Sequence, residues 1–242
     1  MTWWHAVVEA RHDLMNPTSR EKIHLLGERL GLGSDSHVLD IASGTCGPAI
    51  LLAGTFGCRL TCVERASEFV AAGRERVAAA GLADRIEIVE SDSESFVEGR
   101  YDAALCIGAS FAYGGLVPTL ERLRSTAPLL AVGEPYWRVW PLPPDPFAGE
   151  EERTDEGEWL PLLETVERFE STGVRVVSLI ASSQEDWDNY ESLHWQTLDE
   201  WLAANPGHPQ ADEFRARGAA QRACYLGWER EAMGWAIFVC RT

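Results

Sequence analysis

The chain lacks most of the features that would place it quickly. No apolar run approaches the roughly 20 residues of a membrane-spanning helix, so no span is expected. Basic charge is scarce: 21 Lys+Arg stand against 38 Asp+Glu, a formal charge of −17. Such a field repels phosphate backbones and argues against nucleic acid as a partner. Its simplest use is solubility, although it permits a cationic ligand. There is no C-x-x-C, no H-E-x-x-H, no paired histidine and no Cys/His cluster, so no metal is expected. A G-x-S-x-G elbow, which would support a Ser/His/Asp hydrolase, is missing as well. Met1 to His5 has no basic region followed by an apolar stretch, which does not read as a signal peptide and points to the cytoplasm.

What is present fits one ordinary globular domain. The 242 residues are 45% hydrophobic and 24% charged, enough to bury a full core without disulfides or metal. Cysteines 46, 58, 62, 106, 224 and 240 fall mostly in apolar runs, as buried thiols of a reducing compartment do. The first half alternates strand and helix signals. Thr18-Ser19-Arg20-Glu21 has capping-box spacing with Thr18 as the cap, ahead of Ile23, Leu26 and Leu30 at helical intervals. Strands are expected at Val38–Ile41, Cys58–Val63, Ile86–Val89, Ala103–Ile107 and Leu129–Val132. Helices are expected from Pro48 to Phe56, from a Ser67 cap to Ala80, and from Leu116 to Arg124. This rhythm argues for a parallel sheet covered on both faces.

The second half breaks the rhythm. Pro141 to Pro146 is proline-rich and Glu150 to Glu158 is acidic, together a surface excursion, a lid or a passive linker. Strands follow at Val174–Ala181 and Trp235–Cys240, with helices from Trp187 to Ala204 and from Asp212 to Glu231. The fold class is therefore α/β: a Rossmann-like, seven-stranded, mostly parallel sheet with helices on both faces and an insertion after the fifth strand.

The densest chemical signal is Asp40-Ile41-Ala42-Ser43-Gly44-Thr45-Cys46-Gly47. It reads as a strand end, a turn of small residues and a helix N-terminus, which lets a ligand approach the backbone and offers free N–H groups to an anion. Glu64 closes the second strand, where an acid can accept hydrogen bonds from a ribose diol. Asp92 follows the third strand and can reach an adenine amino group. Each acid alone is weak evidence; the three in order at successive strand ends are far more specific, because open α/β sheets bind ligands there.

These residues resemble the class I S-adenosylmethionine-dependent methyltransferases, whose glycine turn follows a strand and an acid as Asp40 to Gly47 does. Beyond the core the chain is similar to a small-molecule methyltransferase subfamily that includes a poorly characterised enterobacterial protein. The pieces that carry this are Asn16-Pro17-Thr18, Ile107-Gly108-Ala109-Ser110, Gly133-Glu134-Pro135-Tyr136-Trp137-Arg138, Trp187-Asp188-Asn189-Tyr190-Glu191 and Trp201 to Pro206. The resemblance implies S-adenosyl-L-methionine as cofactor, its methionine part against Ala42, Ser43 and Gly44, with Asp40 among the cofactor-binding residues. It implies ribose on Glu64 beside Arg65, adenine near Asp92 and Ser93, and Ile107, Gly108 and Ala109 lining the same site. It further implies one methyltransferase domain over 1–242: a helical cap over 1–36, a cofactor-binding core over 37–140, the insertion over 141–173 and C-terminal strands and helices over 174–242. The turn departs from the family where Ala42 and Cys46 replace glycines, and Cys46 weakens the site if its backbone needs a positive φ.

Methyl transfer to a small-molecule acceptor by in-line displacement is the expected reaction. Ile107-Gly108-Ala109-Ser110 stands where methyltransferases of DNA and protein amino groups carry Asn/Asp-Pro-Pro-Tyr. Glu134, at the end of the fifth strand, is the candidate catalytic residue, as base, orienting group or amine ligand; pairing with Arg138 is its structural alternative. His12, Tyr113, Tyr136, Trp137 and Trp195 are candidate substrate-binding residues, and for each aromatic, packing is the alternative. An NAD-type Rossmann oxidoreductase fits the turn and Glu64 in outline, but Gly44, Cys46 and Gly47 make no clean G-x-G-x-x-G. A non-catalytic binder of the same cofactor is the third reading.

Overall fold

The computed structural model describes residues 3–96, 99–147 and 159–242. The acidic stretch Glu150 to Glu158, read above as a lid, lies outside them. Seven strands form one sheet: β1 (His37–Ile41), β2 (Arg59–Glu64), β3 (Ile86–Glu90), β4 (Ala103–Ile107), β5 (Leu129–Trp137), β6 (Arg175–Ala181) and β7 (Met233–Arg241). Their order is β3-β2-β1-β4-β5-β7-β6. The pairs β1/β2, β1/β4, β2/β3 and β4/β5 are parallel, and β6/β7 is antiparallel. The order turns back at β1 and β4, the position where open α/β sheets leave a crevice beyond the strand ends. The register brings those ends level: Ile41 pairs with Val63, Glu64 with Glu90, and Ile107 with Gly133.

The chain forms two compact units. The sheet unit holds 19–135, 163–181 and 235–242; the other holds 1–18, 136–162 and 182–234. The expected helical cap over 1–36 is thus divided, its first helix α1 (Trp3–Val8) in one unit and α2 (Arg20–Leu30) in the other. In the sheet unit α2 is followed by α3 (Gly47–Phe56), α4 (Ser67–Ala79), α5 (Leu116–Leu123) and α6 (Leu162–Glu170). The central strands are buried along nearly their whole length, which is why they read as apolar runs rather than alternations. Phe169 of α6 stacks on Phe238 of β7 with ring centroids 4.5 Å apart. All six cysteines are buried thiols.

The second unit consists mainly of α1, α7 (Gln184–Ala204), α8 (Ala211–Cys224), a π turn (Tyr225–Glu229) and a last helical turn (Arg230–Ala232). Trp4, Val7 and Val8 bury against Leu198 and Phe214, so α1 is a packed element. A second aromatic cluster joins Trp137, Trp228 and Ala232, with Trp159 and Phe147 against it.

Several boundaries differ from the sequence expectation. Ser19, not Thr18, caps α2: its hydroxyl accepts the Lys22 N–H at 3.3 Å, while the Thr18 N–H is turned back onto Asn16 by the preceding Pro17. Ser67 is the first residue of α4 rather than its cap, because the Glu64 carboxylate already takes the Arg65 and Ala66 N–H groups. β5 runs on through Glu134 to Trp137, where the Trp137 N–H bonds to the Leu160 carbonyl. Pro161 to Thr172 contains α6, whose amphipathic pattern the expectation of an irregular insertion passed over.

Candidate functional site

The turn after β1 is built on positive φ. Ala42 has φ 52°, Gly44 55° and Cys46 63°, the left-handed region at the three places where the resembling family has glycine. An L-residue pays about 1–2 kcal/mol there, so Ala42 and Cys46 hold the conformation of the turn at a cost. Cys46 thus has the positive φ at which its side chain weakens the site. Its thiol is buried, 3.9 Å from the Ser43 hydroxyl, and a Cβ on Gly73 of α4 would come within 3.2 Å of it. The bare Gly73 therefore leaves the room that the larger side chain takes. Thr45 is held by Arg76 of α4, whose guanidinium donates to its hydroxyl at 2.7 Å.

Glu64 ties the turn to β2. Its Oε2 accepts the Gly44 N–H at 3.0 Å, and its Oε1 accepts those of Arg65 and Ala66 at 2.9 and 2.8 Å. Three backbone donors on a buried carboxylate orient it firmly and still leave lone-pair capacity on Oε2. Asp40 lies one strand over, fully enclosed. Its Oδ2 is buried with no hydrogen-bond partner. Burial, aided by the charge of Glu64, pushes its carboxyl up to about 7. A buried acid without a partner is expensive unless something cationic or hydrogen-donating meets it.

The remaining cofactor candidates sit at neighbouring strand ends. Asp92 is exposed, its carboxylate accepting the Glu94 N–H at 3.0 Å and lying 4.0 Å from the exposed Arg65 guanidinium. Ser93 is buried beside it. Ile107 is buried at the end of β4 and Ala109 just after it, and Gly108, at φ 70°, donates its N–H to the Gly133 carbonyl at 3.0 Å. Glu134 follows Gly133 inside β5, half-buried, and near enough to Cys106 that, after burial, its charge helps push that thiol up. Tyr113 is buried at the end of a 3-10 turn (Ser110–Tyr113), whereas Phe111 is 62% exposed.

The sequence of residues 38–127 matches a family described as a methyltransferase domain. The uncharacterised protein YjhP of Escherichia coli K12 is 31% identical over 236 residues, 96% of this chain and 95% of its own. The chain belongs to the S-adenosylmethionine-dependent methyltransferases. A solved methyltransferase of this class from Thiobacillus denitrificans, in complex with S-adenosyl-L-homocysteine, is 29% identical with a TM-score of 0.92 over 100% of this chain and 99% of its own. One from Geobacter sulfurreducens, with the same ligand, is 30% identical with a TM-score of 0.89 over 99% and 98%. The methyltransferase family accounts for the sheet order, and the NAD-type oxidoreductase alternative loses its support. Among the described residues no helix is long and apolar enough to cross a membrane.

The other candidates of this methyltransferase lie in its second unit. Tyr136 is buried, and Trp137 is committed to Trp159 and Trp228 at 5.2 and 5.7 Å, a packing role. Trp195 already has a cation over its ring, Arg222 at 4.9 Å. Asp188 accepts a two-pronged bond from Arg230 at 2.9 Å and the Tyr225 hydroxyl at 2.6 Å. His12 does not stand alone. It packs on His194 at 4.3 Å between ring centroids, with Glu9 and Tyr190 around them. Burial alone would depress His194, but the carboxylates of Glu191 and Glu9 outweigh it and push it up to about 9. Sequence reasoning treated the histidines singly and passed over Glu9 and Glu191. The available signal was a repeated spacing, Glu9-x-x-His12 just after α1 and Glu191-x-x-His194 within α7, where it sets acid and imidazole on one helical face.

Proposed function

We propose that this protein transfers a methyl group from S-adenosyl-L-methionine to a small-molecule acceptor. The observation that carries the reading is the pair of buried carboxylates at the ends of β1 and β2, one without a partner and one already aimed by three backbone donors. Asp40 Oδ2 suits the ammonium of an amino-acid moiety, which would satisfy it and hold it ionised. Glu64 Oε2 retains capacity for a ribose hydroxyl. Ala42, Ser43 and Gly44 offer close backbone approach; Arg65, Asp92 and Ser93 would flank the adenine end, and Ile107, Gly108 and Ala109 the next strand end.

When bound, the cofactor supplies an electrophilic methyl group on a sulfonium centre. The protein then has to hold the acceptor in line with the S–CH₃ axis and keep water out. Such approximation is worth about 7–11 kcal/mol. Glu134, level with the end of β4, is the group assigned to the acceptor, as base for a hydroxyl or as orienting carboxylate for an amine. Tyr113 belongs with Glu134 in the sheet unit and is assigned to the acceptor with it; His12, Tyr136, Trp137 and Trp195 belong to the second unit. The formal charge of −17 favours small neutral or cationic acceptors over nucleic acid and, with the absence of an apolar span, fits a cytoplasmic protein.

The test is a thermal-shift titration with S-adenosylhomocysteine and NAD side by side, followed by an acceptor screen. At about 100 times Kd a ligand adds about 2.7 kcal/mol, or roughly 5–11 °C in Tm for a chain of this size. A shift with the adenosyl sulfur ligand alone is expected, and a shift with NAD alone would overturn the reading. Once an acceptor is found, Glu134→Gln should lower kcat with cofactor affinity unchanged; a loss confined to cofactor affinity would remove Glu134 from the acceptor side.

A further inference from the structure

We propose that Glu9, His12 and His194 form a binding site for a divalent transition-metal ion. Both histidines come from an acid-x-x-imidazole repeat, Glu9-Ala10-Arg11-His12 after α1 and Glu191-Ser192-Leu193-His194 within α7. The fold brings the two repeats face to face. Glu9 Oε1 lies 3.2 Å from His194 Nε2, and Glu9 Oε2 lies 3.7 Å from His12 Nδ1. One ligand atom from each of the three residues falls within 4.8 Å of the other two. Two ligands about 2.0–2.1 Å from a common ion, at tetrahedral or octahedral angles, stand roughly 2.9–3.4 Å apart. The Glu9–His194 contact already has that spacing, the Glu9–His12 contact must close by a few tenths of an ångström, and a pair at the 4.8 Å limit must close by about 1.4–1.9 Å when an ion binds.

The surroundings are those of an outer coordination shell. His12 Nε2 lies 3.1 Å from the Tyr190 carbonyl oxygen. That contact requires the proton on Nε2 and turns the Nδ1 lone pair toward Glu9, the arrangement that fixes a metal-binding imidazole. His194 has the Glu191 carboxylate 3.8 Å from Nδ1, on the ring edge away from Glu9. The Tyr190 hydroxyl donates to Glu9 Oε1 at 2.9 Å, supporting the carboxylate. Glu9 is nine-tenths buried, yet its Oε2 makes no hydrogen bond, and His194 Nε2 has only the ion-pair contact to Glu9 Oε1, outside hydrogen-bond geometry. An ion between them satisfies both, and desolvated polar atoms otherwise cost free energy.

Two imidazoles with one carboxylate suit Zn²⁺, Co²⁺, Ni²⁺ or Fe²⁺ and not Mg²⁺ or Ca²⁺, which take all-oxygen shells. Three protein ligands leave a position for water or another donor, as in sites where the ion's ligand exchanges.

The test uses the full chain without a histidine tag, stripped with a chelator and titrated with Zn²⁺ against a chromophoric competitor, with Mg²⁺ as control. One equivalent should bind to the wild type. His194→Gln and Glu9→Gln should weaken it by more than the ~10–100-fold that Glu191→Gln should cost as an outer-shell change. Co²⁺ should give visible d–d bands that His194→Gln abolishes. Equal Zn²⁺ affinity in wild type and both ligand variants overturns the site. Should the variants fail to fold, the wild-type histidine ring ¹⁵N resonances decide: Zn²⁺ must shift His12 Nδ1 and His194 Nε2, and unchanged resonances overturn the site as well.

Discussion

The two units of the molecule are built by different rules. The sheet unit buries whole strands of Val, Leu, Ile, Ala and Cys and keeps its polar chemistry at strand ends, where Asp40, Glu64 and Asp92 stand. The second unit buries polarity inside its packing: Glu9, His12, Tyr190 and His194 lie together, and Trp4, Trp137, Trp187 and Trp228 fill the spaces between helices. In the first, a neutral core makes a rigid frame and the strand register places the acids. In the second, shape comes from large rings and a hydrogen-bonded cluster. An arrangement of that kind pays off only when every polar member is satisfied.

The largest expected effect tests whether the apolar cores match in spite of this contrast. Phe238→Ala in the sheet unit and Phe214→Ala in the second should each cost about 3–5 kcal/mol, since both rings are fully buried. Chemical denaturation measures both, and a cost under about 1 kcal/mol for Phe214 would mean that the second unit stands on its polar cluster instead. Next comes the strand-end acid. Glu64→Ala should weaken S-adenosylhomocysteine binding by about 1.5–3 kcal/mol through lost charge-assisted bonds and a loosened turn. Glu64→Gln, which keeps an acceptor oxygen, should cost less, and titration calorimetry on both variants separates charge from geometry.

A smaller effect concerns pH. Asp40 is raised to about 7 in the folded protein, so between its ordinary value and 7 the free protein holds a proton that the unfolded chain does not. Its contribution to stability is therefore fully present at low pH and is lost as pH rises toward 7. Pairing with a ligand ammonium requires the ionised form, so affinity should move the other way. Binding at pH 5.5 should be roughly 10–30-fold weaker than at pH 8, about 1.4–2 kcal/mol, and Asp40→Asn should flatten the profile; a flat wild-type profile removes Asp40 from the ammonium site. The smallest effect is at the strained turn. Ala42→Gly should relieve the left-handed penalty and stabilise by at most about 1 kcal/mol, because glycine also frees the unfolded chain. Thermal unfolding with and without ligand reads it.

Legibility divides along the same line. The seven strands and the mostly parallel sheet were readable, the central strands most plainly, because a strand buried on both faces leaves an apolar run of fixed length between turn residues. The turn at Asp40 to Gly47 was readable as a ligand loop because small residues there have a steric reason. Caps were less so: Thr18 and Ser19 both suit the role, and only the turn at Pro17 chooses between them. Helix α6 was hidden beside the proline-rich and acidic stretches, and α1 was too short to show periodicity.

By itself the sequence determined the α/β class, the strand order's raw material and the acids at successive strand ends, since these follow from local periodicity and turn chemistry. Only the tertiary structure decided that Asp40 lacks a partner while Glu64 has three, that Ala42 and Cys46 carry positive φ, and that two histidines far apart in the chain meet over Glu9. Those facts depend on which distant groups share a buried space, and burial, not sequence spacing, sets the cost of leaving a polar atom unpaired.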